Sequence, residues 1–473
     1  MHVDRQTQPD QQRQKGRFAL TTQSFAVACC EGRVPYSRGR TIESIRTPPR
    51  VVGSVGSALM SINGMIGAGI FAMPAILFSS LGHFAPWMIL IVGLLVGAGT
   101  LIMADLASHF RQSGGPQLYA QVAYGSAAGF QAGWLLLLAI IASRAANFHV
   151  LVTYLAAIFP FFSDSLTHTA TVLLLIAVLT WINILGMKQA VGALVAGTVL
   201  KLTPILLICL VAFAQGGIVT EFKLPEFGAI EGTALLIYYA YSGTIANSYA
   251  AGEVKNPRRT IPRTMLMSLG LIIVLYMVVQ FAFNAVAPDT GGSDTPLAAL
   301  GGALLGETGA LIMALAAIFS IATNQHTFYM TGPRILFGMA RRGLLPRVFT
   351  HLSEKRETPD LAIYFFSGLV AILSLSGGFV FLAEVQSLGS QLVLLMCFGA
   401  FVILRKNGHT GEPRPIGPKW WVILFLAAGY SIFASAQAGI EVYAMLALLV
   451  VVGTGLYFVA RRGETSAPEP EFD

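Results

Sequence analysis

Long apolar runs separated by short polar turns make up most of the chain after residue 50. A bilayer core takes roughly 20 apolar residues per helix. That ruler picks out twelve runs: 51–79, 86–108, 127–160, 168–186, 190–214, 231–251, 263–287, 307–340, 361–378, 382–404, 419–437 and 440–460. The pattern predicts an all-α integral membrane protein with about 12 transmembrane helices. Residues 1–50 are instead polar and basic. Phe18 to Cys30 faintly resembles a signal peptide, but Thr21, Thr22, Gln23 and Ser24 interrupt its apolar stretch. Residues 1–50 therefore read as a disordered cytoplasmic tail.

Two runs are interrupted in a way a simple anchor does not need. The first contains Asn63-Gly64-Met65-Ile66-Gly67-Ala68-Gly69-Ile70-Phe71 and then Pro74. The sixth contains Tyr238-Tyr239-Ala240-Tyr241-Ser242-Gly243-Thr244. Gly-interrupted helices at matching places point to a transporter of five-plus-five inverted repeats, with helices 1 and 6 discontinuous. The repeats would span 51–214 and 231–405. Helices 11 and 12 would follow over 417–460, and a cytoplasmic C-terminal tail over 461–473. Unwound backbone at membrane depth is tolerated where it lines a cavity. The half-helix after Gly69 would offer N–H groups and a positive dipole end to a carboxylate. Carbonyls freed near Tyr239–Ser242 would suit an ammonium, so the pair reads as a zwitterion site. Gly67-Ala68-Gly69 alone would read rather as close helix packing; the matching second break favours a site.

Composition agrees with the spans. Of all residues, 55% are hydrophobic and 11% charged, against about 25% charged in ordinary soluble proteins. Mean hydropathy is +0.68. These figures exclude an ordinary cytosolic enzyme, a nucleic-acid binder and a disordered protein. A pI near 9.3 would suggest nucleic acid, but the charges are placed otherwise. With the N-terminus inside, 27 of the 30 Lys and Arg fall in the tails, the inside loops and the inside ends of spans. The outside loops hold only Lys223, beside Asp164, Glu221, Glu226, Glu231, Asp289, Asp294 and Glu307. By the positive-inside rule both termini are cytoplasmic, in a multi-pass protein of the cytoplasmic (inner) membrane. Two cations remain inside spans, Arg144 and Lys201.

Catalytic chemistry has no foothold. The chain lacks a His-Glu-x-x-His motif, a Gly-x-Ser-x-Gly elbow and a phosphate loop ending in Gly-Lys-Ser/Thr. Cys29, Cys30, Cys209 and Cys397 show no metal-ligand spacing. No enzyme activity, cofactor, metal or nucleic-acid partner is expected.

Four stretches give the chain a resemblance to the amino acid–polyamine–organocation (APC) superfamily of permeases. They are Ile66-Gly67-Ala68-Gly69-Ile70-Phe71-Ala72-Met73-Pro74, Ser113-Gly114-Gly115-Pro116, Gly252-Glu253-Val254-Lys255-Asn256-Pro257-Arg258-Arg259-Thr260-Ile261-Pro262, and Met339-Ala340-Arg341-Arg342-Gly343-Leu344-Leu345-Pro346. The third is the most specific. The resemblance covers about 51–460. It implies secondary transport of amino acids or related amines by alternating access, without ATP hydrolysis. The distant likeness to the arginine/agmatine exchangers of that superfamily aligns Phe130-Gln131 through Tyr154-Leu155 to Phe159-Pro160 without gaps. In that register Arg144 takes the place of a substrate-contacting Asn, and the aromatic gates fall on Tyr239 and Phe328. A carboxylate-binding Ser-Gly pair becomes Ala68-Gly69. A Glu linked there to acid-dependent exchange is Ile245 here, which speaks against arginine/agmatine exchange.

The resemblance and the breaks together nominate Met65, Gly67, Ala68, Gly69, Arg144, Tyr239, Ser242, Gly243 and Phe328 as substrate-binding residues. Lys201 is nominated for proton coupling. In proton-coupled relatives a Lys in this helix stands in for a sodium ion beside the unwound first helix. Intramembrane ionisable groups are functional hypotheses by default. A buried amine that can shed its charge could cycle a proton; the alternative is a permanently charged strut on backbone carbonyls. Arg144 facing the cavity would disfavour cationic substrates and permit acidic or neutral ones. Snorkelling outward toward Asp164 is the other possibility. Asp105 is expected to pair with basic residues at the end of helix two. His149 and His326 read as hydrogen-bonded filler, and Ser320 and Asn324 as candidates for lining the site. Asp289–Gly292 and Gly216-Gly217 read as external turns. The sequence thus points to a proton-coupled symporter of neutral or acidic amino acids. A proton-independent amino acid/amine exchanger and, more remotely, a non-transporting sensor remain as alternatives. Substrate, protons and membrane lipid are the expected partners; oligomeric state is not legible.

Overall fold

The structure is a computed structural model. It describes residues 53–462 apart from 111–113, 187–190, 219–221, 246–247, 249–253, 287–292, 354–355, 357 and 409–414. The N-terminal tail, Cys29, Cys30, Ser113, Gly252, Glu253 and the turn at Asp289–Gly292 lie outside the described residues.

The described residues fold into helices that follow the twelve apolar runs. Among the described residues, nine helices are long and apolar enough to cross a membrane. The first run is two helices, Ser54–Met65 and Gly69–Leu81, parted at Ile66 (φ −79, ψ 83). The second, third, fourth and fifth spans are Ala85–His109, Ser126–Ile158, Ser165–Ile184 and Val191–Gly216. The sixth, Phe227–Tyr241, gives way to a 3-10 turn at Ser242–Ile245. Pro257–Val286 is the seventh span, and Pro296–Arg341 contains the eighth. Asp360–Ser374, Phe379–Lys406, Pro418–Ala436 and Ile440–Arg462 complete the set, the last running two residues past the expected end. Large apolar side chains such as Leu94, Trp181, Phe425 and Val451 face outward, as lipid contact requires.

The two halves carry the same corner. Before the third span, a short helix Pro116–Tyr124 ends at Gly125 (φ 94). Before the eighth, a helix starting at Pro296 bends at Gly306 (φ 64). Proline is pre-set for the first helical turn, and positive φ belongs to glycine. The second span packs along the seventh, and the third along the eighth and tenth.

The third span is the axis of the fold. Trp134 Nε1 donates to Leu449 O at 2.9 Å, and Phe130 stacks on Tyr457 with ring centroids 4.7 Å apart. A Cβ at Gly453 would overlap the Trp134 indole. The twelfth span is thus seated on the third. Arg405 reaches Asp105 at 3.4 Å and lies 4.7 Å over Trp420. Asp105 is paired, as expected, and ties the second, tenth and eleventh spans. His149 donates Nε2–H to Ser374 O at 2.9 Å and meets His168 at 3.2 Å. Two motifs also touch: a Cβ at Gly114 would stand 3.3 Å from Arg342 Nη1.

Candidate functional site

The break in the first span is enclosed by side chains from five other spans. Asn147, one helical turn beyond Arg144, accepts the Ala68 N–H at 3.1 Å through Oδ1. The same oxygen accepts the Tyr239 hydroxyl at 2.8 Å. Asn147 Nδ2 donates to Asn324 Oδ1 at 3.2 Å. Asn324 Nδ2 donates in turn to Asn63 O at 2.7 Å and to Ile66 O at 3.4 Å. The seventh span contributes Tyr276, whose hydroxyl lies 2.8 Å from Met65 O and 3.2 Å from Ala240 O. Backbone groups that leave a helix inside a membrane need such partners.

The two breaks cross at glycines. A Cβ at Gly243 would stand 2.5 Å from the Met65 nitrogen and overlap the Gly64 carbonyl. One at Gly69 would reach Ala240 Cα at 3.3 Å. Gly67 is different. A Cβ there would make ordinary contact with Asn147 and Asn324, the nearest atom 3.4 Å away. Gly67 faces the amide pair, and space alone does not demand a glycine there.

Arg144 points into the protein. It is 3% exposed. Nη1 donates to Asn324 Oδ1 at 2.5 Å, Nη2 donates to Ser143 Oγ at 2.9 Å, and the guanidinium lies 4.0 Å from the Phe328 ring centre. Its Nε has no acceptor among the described residues. Snorkelling toward Asp164 is ruled out, because the guanidinium is buried against Asn324, Ser143 and Phe328. Arg144, Ser143, Gly64, Ser242, Gly243, Ile245, Phe328, Gln386 and Ser390 are among the residues lining one narrow cavity beside the breaks. Tyr239 packs edge-on against Phe379 at 5.6 Å.

Lys201 is fully buried and donates to Asn63 Oδ1. It therefore sits beside the first-span break, but on a side-chain amide rather than on backbone carbonyls. The Asn63 side chain receives Lys201 and its backbone carbonyl receives Asn324, so Asn63 and Asn324 link the fifth span to Arg144 of the third.

Two sequence expectations change. The Ala68 N–H, expected to be open, is taken by Asn147. The sixth-span carbonyls are also occupied: Ser242 Oγ donates to Tyr239 O, Tyr276 to Ala240 O and Thr244 Oγ1 to Tyr241 O. A 3-10 turn needs fewer rescuers than unwound chain, and nearby hydroxyls supply them. Asn147, Asn63 and Tyr276 were not singled out from sequence. The available signal was an amide or hydroxyl at mid-span in otherwise apolar runs. Asn324 was singled out and forms the hub. Ser320 Oγ has no partner among the described residues.

Comparison with known proteins adds an independent line. Residues 53–457 match a family model described as amino acid permease. The chain is similar to the serine/threonine exchanger of Bacillus subtilis, at 27% identity over 88% of this chain and 98% of that protein. It is similar also to the branched-chain amino acid permease of B. subtilis, at 24% identity over 87% of this chain and 93% of that one. The large neutral amino acids transporter small subunit 2 of Mus musculus shares 27% identity over 66% of this chain and 62% of its own length.

Proposed function

This chain belongs to the amino acid permease family, and from that premise we propose that it carries neutral or acidic amino acids across the cytoplasmic membrane by alternating access, coupled to protons. Both termini face the cytoplasm in this proposal, with residues 51–214 and 231–405 as the two inverted repeats. The observation that carries it is Arg144: a buried guanidinium lining the cavity at the crossing of the two breaks. A fixed cation there repels arginine, lysine and polyamines and accepts a carboxylate, for which its planar fork is suited. The three relatives are named for serine and threonine, branched-chain and large neutral amino acids, which supports the neutral class. Lys201 beside the first break supports proton coupling, as the group that takes up and gives back the proton.

Proteoliposomes test the coupling. An inward proton gradient imposed by a pH jump is expected to drive concentrative uptake of substrate. Uptake that ignores the gradient and requires internal substrate would establish the exchanger instead. That second reading has its own support in the similarity to a serine/threonine exchanger along nearly the whole of that protein.

Selectivity is tested at Arg144. A hydrogen bond to a charged group contributes about 1.5–3 kcal/mol, so losing it lowers kcat/KM about tenfold or more. Arg144→Ala is expected to reduce uptake of an acidic amino acid by at least that factor and of alanine by far less. Equal loss for both, or no loss, would remove Arg144 from substrate selection.

A further inference from the structure

Buried charges in proteins are paired with opposite charge or bound to a counter-ion, because an isolated ion in a low-dielectric site is strongly disfavoured. Arg144 breaks that rule. Its guanidinium meets only neutral groups: the Asn324 carboxamide, the Ser143 hydroxyl and the face of Phe328. Among the described residues no carboxylate lies within ion-pair distance. Asp105, the half-buried acid of the second span, is taken by Arg405, and Glu384 of the tenth forms no ion pair with a described residue. Lys201 deepens the imbalance. It is fully buried and joined to Arg144 through Asn63 and Asn324. Two basic groups therefore share one chain of neutral amides inside the membrane.

From this imbalance we propose that the substrate-free carrier holds a small inorganic anion, of the chloride class, on Arg144. Phe328 covers one face of the guanidinium, which leaves the edge carrying the unpartnered Nε–H for the anion. Among the described residues lining the cavity beside it, the polar side chains other than Arg144 are Ser143, Ser242, Gln386 and Ser390, all neutral. Hydroxyls and amides accommodate a halide, whereas a metal cation would meet the Arg144 charge. The second step rests on the proposed function: an incoming amino acid brings its own carboxylate and displaces the anion, so the cavity stays neutral through the cycle.

The test uses purified full-length protein in detergent, exchanged into sodium gluconate. Sodium chloride then replaces gluconate at constant ionic strength while Tm is followed. A ligand that binds the folded state raises Tm in a saturable way. Wild type is expected to gain several degrees and to saturate, and Arg144→Gln to gain nothing. A flat wild-type response, or an equal rise in Arg144→Gln, overturns the anion site. Equilibrium dialysis of wild type with radioactive chloride covers the case in which Arg144→Gln does not fold. Stoichiometric retention supports the site, and no retention above a gluconate-competed background overturns it. Failure of the transport proposal shows differently. Retained chloride that no amino acid displaces keeps the anion site and removes the substrate from it. Arg144-dependent uptake without chloride binding keeps the substrate and removes the anion.

Discussion

Gly243→Val is expected to abolish substrate uptake and to lower the Tm of the purified protein by a wide margin. The first and sixth spans cross at Gly64 and Gly243 with backbone against backbone, and any Cβ at 243 overlaps the Gly64 carbonyl. Side chains can rotate away from a clash, but these are main-chain atoms held by their own helices. Overpacking a well-filled core costs about 1–3 kcal/mol and more where nothing can yield. Valine also disfavours the tight turn that follows. Relief could come only by parting the two spans, which would break the bridges that Tyr276 and Asn147 make between them. Gly270→Ala is the control: no neighbouring atom lies within 4 Å of its added Cβ, and surface changes stay within about 0.5 kcal/mol. Wild-type uptake by Gly243→Val would show that the two spans are not in backbone contact.

Lys201→Met should leave uptake that only equilibrates across the membrane, with no accumulation after a pH jump. Methionine keeps an unbranched chain of similar reach but carries no proton. Lys201→Arg separates the two roles weighed for this residue. Arginine preserves the charge and a bond to Asn63, yet does not deprotonate in proteins. A strut would tolerate it, so accumulation would survive. A proton carrier would not, and Lys201→Arg would equilibrate like Lys201→Met. Accumulation at wild-type level in both variants would move the coupling group elsewhere in the chain.

The helices and both breaks could be read before any coordinates, for physical reasons. Glycine and proline mark where a helix is weakest, and a run of about twenty apolar residues has few uses outside a bilayer. The break at Ile66–Ala68 falls inside the first stretch picked out by sequence, and the turn at Ser242–Ile245 starts inside the second and runs one residue past it. Arg144 was harder. A cation in an apolar helix can face inward or reach for the surface, and only the packing of the third span against the eighth decides. Asn147 was passed over because an amide in a long helix does not announce its direction. Ser242 and Thr244 cap two of the sixth-span carbonyls locally, but the Ala240 carbonyl is met by Tyr276, which comes from another span and has no local sequence signal. Sequence located where backbone groups would be freed, but which side chains would claim them is a property of the assembled bundle.

Tyr276 has one proton and two claimants. Its hydroxyl sits within reach of Met65 O and Ala240 O, one from each break, and can make only one linear bond at a time. The other carbonyl then takes a bent share, and Met65 O keeps the Gly67 N–H at 2.9 Å in either case. A hydrogen bond of this kind contributes about 1 kcal/mol net, so the two settings of the hydroxyl are close in energy. Small relative shifts of the two half-helices are enough to hand the proton from one carbonyl to the other. One proton thus ties the first break to the sixth, and whatever shifts either half-helix is felt at the other through it.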